Sequence, residues 1–183
     1  MKGVVGLAWL LCLPPLVAQP TQAPLEFSGG HETDPRDHGR PVVLIAAALN
    51  VPPQVFREAF SHVHPAPAGS EPEAGQVRAN KQALLAALGP YGVTNDRLDE
   101  VSNFYRYRPG PGSLWKNRPA AGFATLVDGR ITGIVLQDGG AGYSSAPAVS
   151  VAGAPVPHAL VRLYFGTDLA RNGSILGVDL SGR

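Results

Sequence analysis

An Asx-Gly unit that occurs twice, 44 residues apart, limits the folds open to this chain more than any other feature. The first copy runs Asp128-Gly129-Arg130-Ile131-Thr132-Gly133-Ile134-Val135-Leu136 and the second Asn172-Gly173-Ser174-Ile175-Leu176-Gly177-Val178-Asp179-Leu180. At this offset Gly129 meets Gly173, Ile131 meets Ile175, Gly133 meets Gly177, Ile134 meets Val178 and Leu136 meets Leu180. A glycine directly after Asx supplies positive φ, and the alternating aliphatics behind it give a strand one buried face. The second copy stops before any counterpart of Gly139 to Tyr143. It therefore reads as a terminal strand completing a sheet, not as a second domain.

The flanking sequence extends this β pattern. Phe123 to Val127 predicts a strand, Asp128-Gly129 a tight turn, and Ile131 to Leu136 its return. Val149 to Val151 and the alternating His158 to Phe165 add two more, and Asn172-Gly173 leads into the last. The connections are too short for helical crossovers, so the module is expected to be antiparallel.

The string DGRITGIVLQDGGAGYSSAPAVSV resembles a glycine-rich β repeat of bacterial surface, secreted and phage-tail proteins. The matching residues are Asp128, Gly129, Ile131, Ile134, Gly140, Gly142, Tyr143, Ser145, Pro147 and Val149. The resemblance implies a structural or spacer module. The segments HETDPRDHGRPVVLIAAAL, NK, YGVTND, LDEVSNFYRY and LW resemble part of an uncharacterised family of exported bacterial proteins, which brings no assigned activity.

Ahead of the β pattern the chain divides into three stretches. Lys2 followed by an apolar run from Gly3 to Ala18 is too short to span a bilayer comfortably and reads as an export signal, residues 1–18. This implies a secreted or periplasmic protein with no stable membrane span after cleavage. Cys12 lies within that run, so the mature chain would hold no disulfide. Residues 19–40, rich in Pro, Gly, Asp and His, are expected to form an irregular tether or cap. Residues 41–108 carry helical spacing. Pro41 opens one helix, Pro52-Pro53 a second with Val55, Phe56, Ala59 and Phe60 on one face, and residues 76–88 a third. A fourth is capped around Thr94 to Asp96 and presents Leu98, Val101 and either Phe104 or Tyr105. The expected fold class is α+β: a short N-terminal helical bundle followed by a small antiparallel β module over residues 109–183 with a partial internal repeat.

Removing residues 1–18 takes away Lys2 and leaves 14 basic against 14 acidic side chains. That balance argues against nucleic acid as a partner, because phosphate neutralisation needs a concentrated basic excess. Catalytic motifs are lacking. Ser144 and Ser145 lie outside a Gly-x-Ser-x-Gly elbow, and Asp96, Asp99 and Glu100 could provide paired acids for hydrolysis, but a helix start attracts acids anyway.

Two clusters remain as candidate sites. Tyr105, Arg106, Tyr107 and Arg108, with Trp115, Lys116 and Arg118, interleave rings that can stack on sugars with guanidinium groups that can clamp anions. They suggest recognition of an envelope glycan or protein; the same aromatics could instead seal the joint between helices and β module. His31, Glu32, Asp34, Asp37 and His38 combine imidazole and carboxylate, so the alternative function is a metal-binding protein or metal-assisted hydrolase using a divalent ion. Their spacing fits no closed zinc site or calcium loop, and turn chemistry accounts for them equally. His62 and His64 share a side only if extended, and need a third ligand from elsewhere. No cofactor is expected, and a structural or recognition role is expected ahead of an enzymatic one.

Overall fold

The computed structural model describes residues 19–64, 73–106, 114–152 and 154–180. The proposed export signal, and with it Cys12, lies outside the described residues.

The chain is mixed α+β, with a helical region followed by a larger antiparallel β part. One correction concerns residues 19–40. Thr21–Ser28 is not irregular but a strand, β1, lying inside a five-stranded sheet. Its alternation explains this: Ala23, Leu25 and Phe27 pack into the sheet's apolar core, while Gln22, Pro24, Glu26 and Ser28 are exposed. β2 (Ala121–Val127) pairs with residues 21–24 of β1, and β4 (Ala148–Val151) with residues 25–28, both antiparallel. Pro24 sits where one ladder hands over to the other. A proline is tolerated there because the strand has a ladder partner on only one side at each position.

β3 (Arg130–Asp138) follows β2 through Asp128-Gly129, at φ of 50° and 72°, the mirror-image two-residue turn expected from the sequence. The short β5 (Ala154–Pro155) completes the order β3-β2-β1-β4-β5. β6 (Ala159–Tyr164) and β7 (Ser174–Leu180) form a separate antiparallel pair, whose Ala159, Val161 and Val178 pack on the same core as Leu25, Val149 and Val151.

Among the described residues four α-helices form the other layer. α1 (Val42–Ala48) starts after Pro41 and is buried on most of its surface, as an apolar run must be. Asn50, at φ 57°, ends it, and Pro53 opens α2 (Pro53–Ser61). α3 (Ala74–Leu88) runs on into a 3-10 turn, after which Thr94 caps α4 (Asn95–Phe104) by accepting from the Arg97 amide at 3.2 Å. Leu44, Phe56, Leu88, Leu98, Val101 and Tyr105 make one apolar core, and Tyr105 is the aromatic that turns inward.

Helices and sheet are pinned at the second Asx-Gly unit. Asn172 has no exposed surface, and its Nδ2 donates to the Leu44 carbonyl of α1 at 2.8 Å and to the Tyr105 hydroxyl at 2.9 Å. Its Oδ1 accepts from the Gly166 amide at 3.1 Å. Arg97 adds a second staple, donating to the Ala48 carbonyl at 2.9 Å and to the Thr167 carbonyl. The two repeat copies therefore differ in use. Asp128 turns a hairpin in solvent, whereas Asn172 lies outside the left-handed region and bonds across the joint.

Candidate functional site

The proposed aromatic and basic cluster divides by burial. Trp115 is 3% exposed and donates from Nε1 to the Gly142 carbonyl at 2.8 Å, tying the chain after α4 to the glycine loop. Tyr105 is 2% exposed, and burial pushes its hydroxyl up to about 12. Neither ring belongs to an accessible surface, so both are corrected from ligand contacts to members of the joint. Arg106 is exposed and reaches Asn103 Oδ1 at 3.0 Å. Lys116 lies over the Phe104 ring at 4.8 Å. Arg118 is paired with Asp138 and anchors the glycine loop through the Gly140 carbonyl at 3.3 Å. Tyr107 and Arg108 lie outside the described residues.

The His/Asp/Glu cluster does not converge. Asp34 caps a 3-10 turn, Pro35–Asp37, accepting from the Arg36 amide at 2.9 Å. Its carboxyl is held well below the usual range by hydrogen bonds from the Arg36 side chain. Asp37, 5% exposed, takes a two-pronged pair from Arg57 at 2.7 and 2.8 Å. His38 is an exposed left-handed residue ending the turn. Glu32 turns to the other side, where the Ser145 hydroxyl and the Gly30 amide lower its pKa. His31 lies between Trp115 and Tyr143, at ring separations of 5.8 and 5.3 Å, with its buried Nε2 lacking a hydrogen-bond partner among the described residues. Among the described residues no group of three or more His, Cys, Asp or Glu side chains is arranged to hold a metal ion. His62 faces Glu58 at 3.7 Å, while the backbone of His64 is engaged by Asn80.

What these residues do build is a groove. The 3-10 turn, the start of α1 and one flank of α2 enclose about 590 Å³, lined by Arg36, Arg40 and Arg57 with Asp37, Phe60 and Val63. This is within the size range of small-molecule sites. Arg57 is fixed by Asp37, and that hydrogen bond raises its pKa. Arg40 is half-buried, its guanidinium 3.8 Å from the centroid of Phe60. Burial lowers the Arg40 pKa, against the opposing pull of Asp37. A second hollow of about 510 Å³ lies between α2, α3 and α4, lined by Val77, Leu84 and Leu98 together with a Lys81–Asp99 pair of 2.6 Å. Phe60 and Val63 belong to both.

Helical spacing sets Arg57 opposite the Val55, Phe56, Ala59 and Phe60 face of α2 but does not reveal its partner. The Asp37–Arg57 pair spans 20 residues and two elements, which no local spacing encodes. The available signal was the alternation of charge in Asp34, Arg36, Asp37 and Arg40 directly before a buried helix. Among the described residues no helix is long and apolar enough to cross a membrane. Comparison with family models, curated proteins and solved structures finds no match to this chain.

Proposed function

We propose that this is an exported recognition protein, secreted or periplasmic, in which a β platform holds a helical cap that binds an envelope glycan or protein. The observation that carries this is the open groove lined by Arg36, Arg40, Arg57 and Phe60. It combines a partly apolar wall with oriented guanidinium groups, the composition of a recognition site. The joint supports the same reading. Trp115, Tyr105 and Asn172 lock cap to platform with their polar atoms engaged, and the Asp37–Arg57 pair holds the 3-10 turn against α2 within the cap, fixing two of the groove's walls. Preorganisation of this kind reduces the ordering cost of binding. Arg106 and Lys116 lie outside this joint and extend the basic character of the cap surface.

The test is a screen of the mature chain against envelope glycans and peptidoglycan fragments, followed by mapping of amide shifts. Shifts centred on Gln54, Arg57, Phe60 and Val63 are expected for a genuine ligand. A ligand whose shifts fall elsewhere, on the β6–β7 pair for example, would move the function off the cap.

A further inference from the structure

We propose that the Arg40 guanidinium is the anchor for a carboxylate monoanion in the groove between the 3-10 turn, α1 and α2. This rests on the groove being the recognition site and adds the class of ligand it takes. The three arginines of the groove are not equivalent. Arg57 spends Nε and Nη2 on Asp37, and Arg36 spends the same two atoms on Asp34 at 3.0 and 2.6 Å. Arg40 is left over. Among the described residues its one acceptor is the Asp37 carbonyl, 3.5 Å from Nη1, the limit of a hydrogen bond. It has no carboxylate within salt-bridge distance among those residues, unlike Arg36 and Arg57.

A guanidinium carries five N–H donors in a planar fork, and removing it halfway from water with a single long hydrogen bond among the described residues is costly. Phe60 beneath the fork fixes its plane, at 3.8 Å, but accepts none of those hydrogen bonds. An oxyanion arriving from the open side of the groove satisfies them, and a carboxylate matches the fork with two parallel bonds. The local charge selects among oxyanions. Asp34 and Asp37 pair with Arg36 and Arg57, which leaves Arg40 as the groove arginine without a carboxylate partner among the described residues, while Glu58, exposed at the rim, adds a negative charge to the groove. A carboxylate monoanion meets the Arg40 fork one to one, whereas a phosphate dianion brings a second negative charge close to the buried Asp37 and to Glu58. Val42 and Val63 flank the site, so the body of the ligand adjoins apolar wall.

The mature chain is titrated with acetate, benzoate and D-glucuronate at constant ionic strength, with D-glucose as neutral control and inorganic phosphate, largely dianionic above neutral pH, as the competing oxyanion. The readout is the Arg40 Nε–Hε resonance together with the groove amides. A saturable shift of the Arg40 resonance is expected with at least one carboxylate, and the three carboxylates report whether an aliphatic, aromatic or sugar body is preferred. Phosphate should bind at least about fivefold more weakly than that carboxylate. Arg40→Lys should weaken binding about fivefold by losing the fork, and Arg40→Gln at least about tenfold. Glu58→Gln, at the exposed rim, should tighten it about twofold.

Absence of any saturable carboxylate shift up to about 100 mM overturns the proposal, as does carboxylate affinity unchanged in Arg40→Gln or tighter binding of phosphate. Arg40→Lys keeps the charge and serves as the test if Arg40→Gln does not fold. If a neutral glycan shifts the groove amides while carboxylates leave Arg40 unmoved, the groove remains the recognition site and the carboxylate anchor is refuted. If neither class moves the groove, both fall.

Discussion

Replacing Asn172 by Ala tests the claim that this residue joins the two layers. The substitution removes Nδ2 from the Leu44 carbonyl and the Tyr105 hydroxyl, and Oδ1 from the Gly166 amide. The buried Leu44 carbonyl and Tyr105 hydroxyl and the part-buried Gly166 amide each lose a partner at about 1–1.5 kcal/mol, the amide at the low end, so the loss should be about 3–4 kcal/mol. For a chain of this size about 1 kcal/mol moves Tm by 2–4 °C, which gives a fall of about 6–16 °C. Chemical denaturation followed by far-UV and near-UV circular dichroism measures the loss directly. Tyr105→Phe alone should cost about 1–2 kcal/mol by stranding the Asn172 donor. The double variant should fall short of the sum by about 1 kcal/mol, because the two residues share one bond. Asp128→Asn, at the matching position of the first repeat copy, should change stability by less than about 0.5 kcal/mol, since both residues tolerate the left-handed conformation. A loss below about 1 kcal/mol for Asn172→Ala, or strict additivity with Tyr105→Phe, would refute the pinning role.

Three further outcomes follow from the same joint. Trp115→Ala empties a buried site and strands the Gly142 carbonyl, so unfolding measurements should show a loss of about 3–5 kcal/mol. Gly173→Ala should cost more than about 3 kcal/mol, because a Cβ there meets the Tyr143 carbonyl oxygen at 2.5 Å and Leu44 Cδ2 at 2.7 Å. Gly129→Ala, at φ 72° in open space, should cost only about 1–2 kcal/mol of backbone strain, and equal melting shifts for the two would contradict this contrast. Alkaline behaviour gives the last test. Tyr105 ionises at about 12 in the folded chain and near 10 when unfolded. The folded value is the higher, so its contribution is full below pH 10 and declines as pH rises towards 12. Thermal melts across that interval should show the wild type losing more stability than Tyr105→Phe.

Local patterns in the sequence were enough to locate most elements. Asp128-Gly129 requires positive φ at two successive residues, and the hairpin follows from that alone. Thr94, Pro53 and the Leu98/Val101 spacing likewise set two helix starts and one buried face. Strand β1 is not legible in the sequence because Pro24 and the surrounding turn formers mask an alternation carried by only Ala23, Leu25 and Phe27. The Asn172-Gly173 copy misled in the opposite direction. Its residues match a hairpin turn, yet Asn172 is taken up by partners 128 and 67 residues away. The site was hidden for the same reason. Whether Trp115 faces water, and whether Asp37 meets Arg57, depend on packing between elements and not on spacing within them.

The divided pairing of β1 also sets an order of events in time. Thr21 pairs with Leu126 and Leu25 with Val151, so the first strand among the described residues waits for β2 across about 90 residues of intervening chain and for β4 across about 120. The helices can collapse on near neighbours while β1 waits, and the large loop closed by its docking makes that step slow. Throughout the interval Leu25 and Phe27 stand on an unpaired strand, the kind of segment that invites pairing with the wrong chain. Pro24 and Glu26, interleaved with them, make β1 a poor template for a stranger and so protect the chain until its own partners arrive.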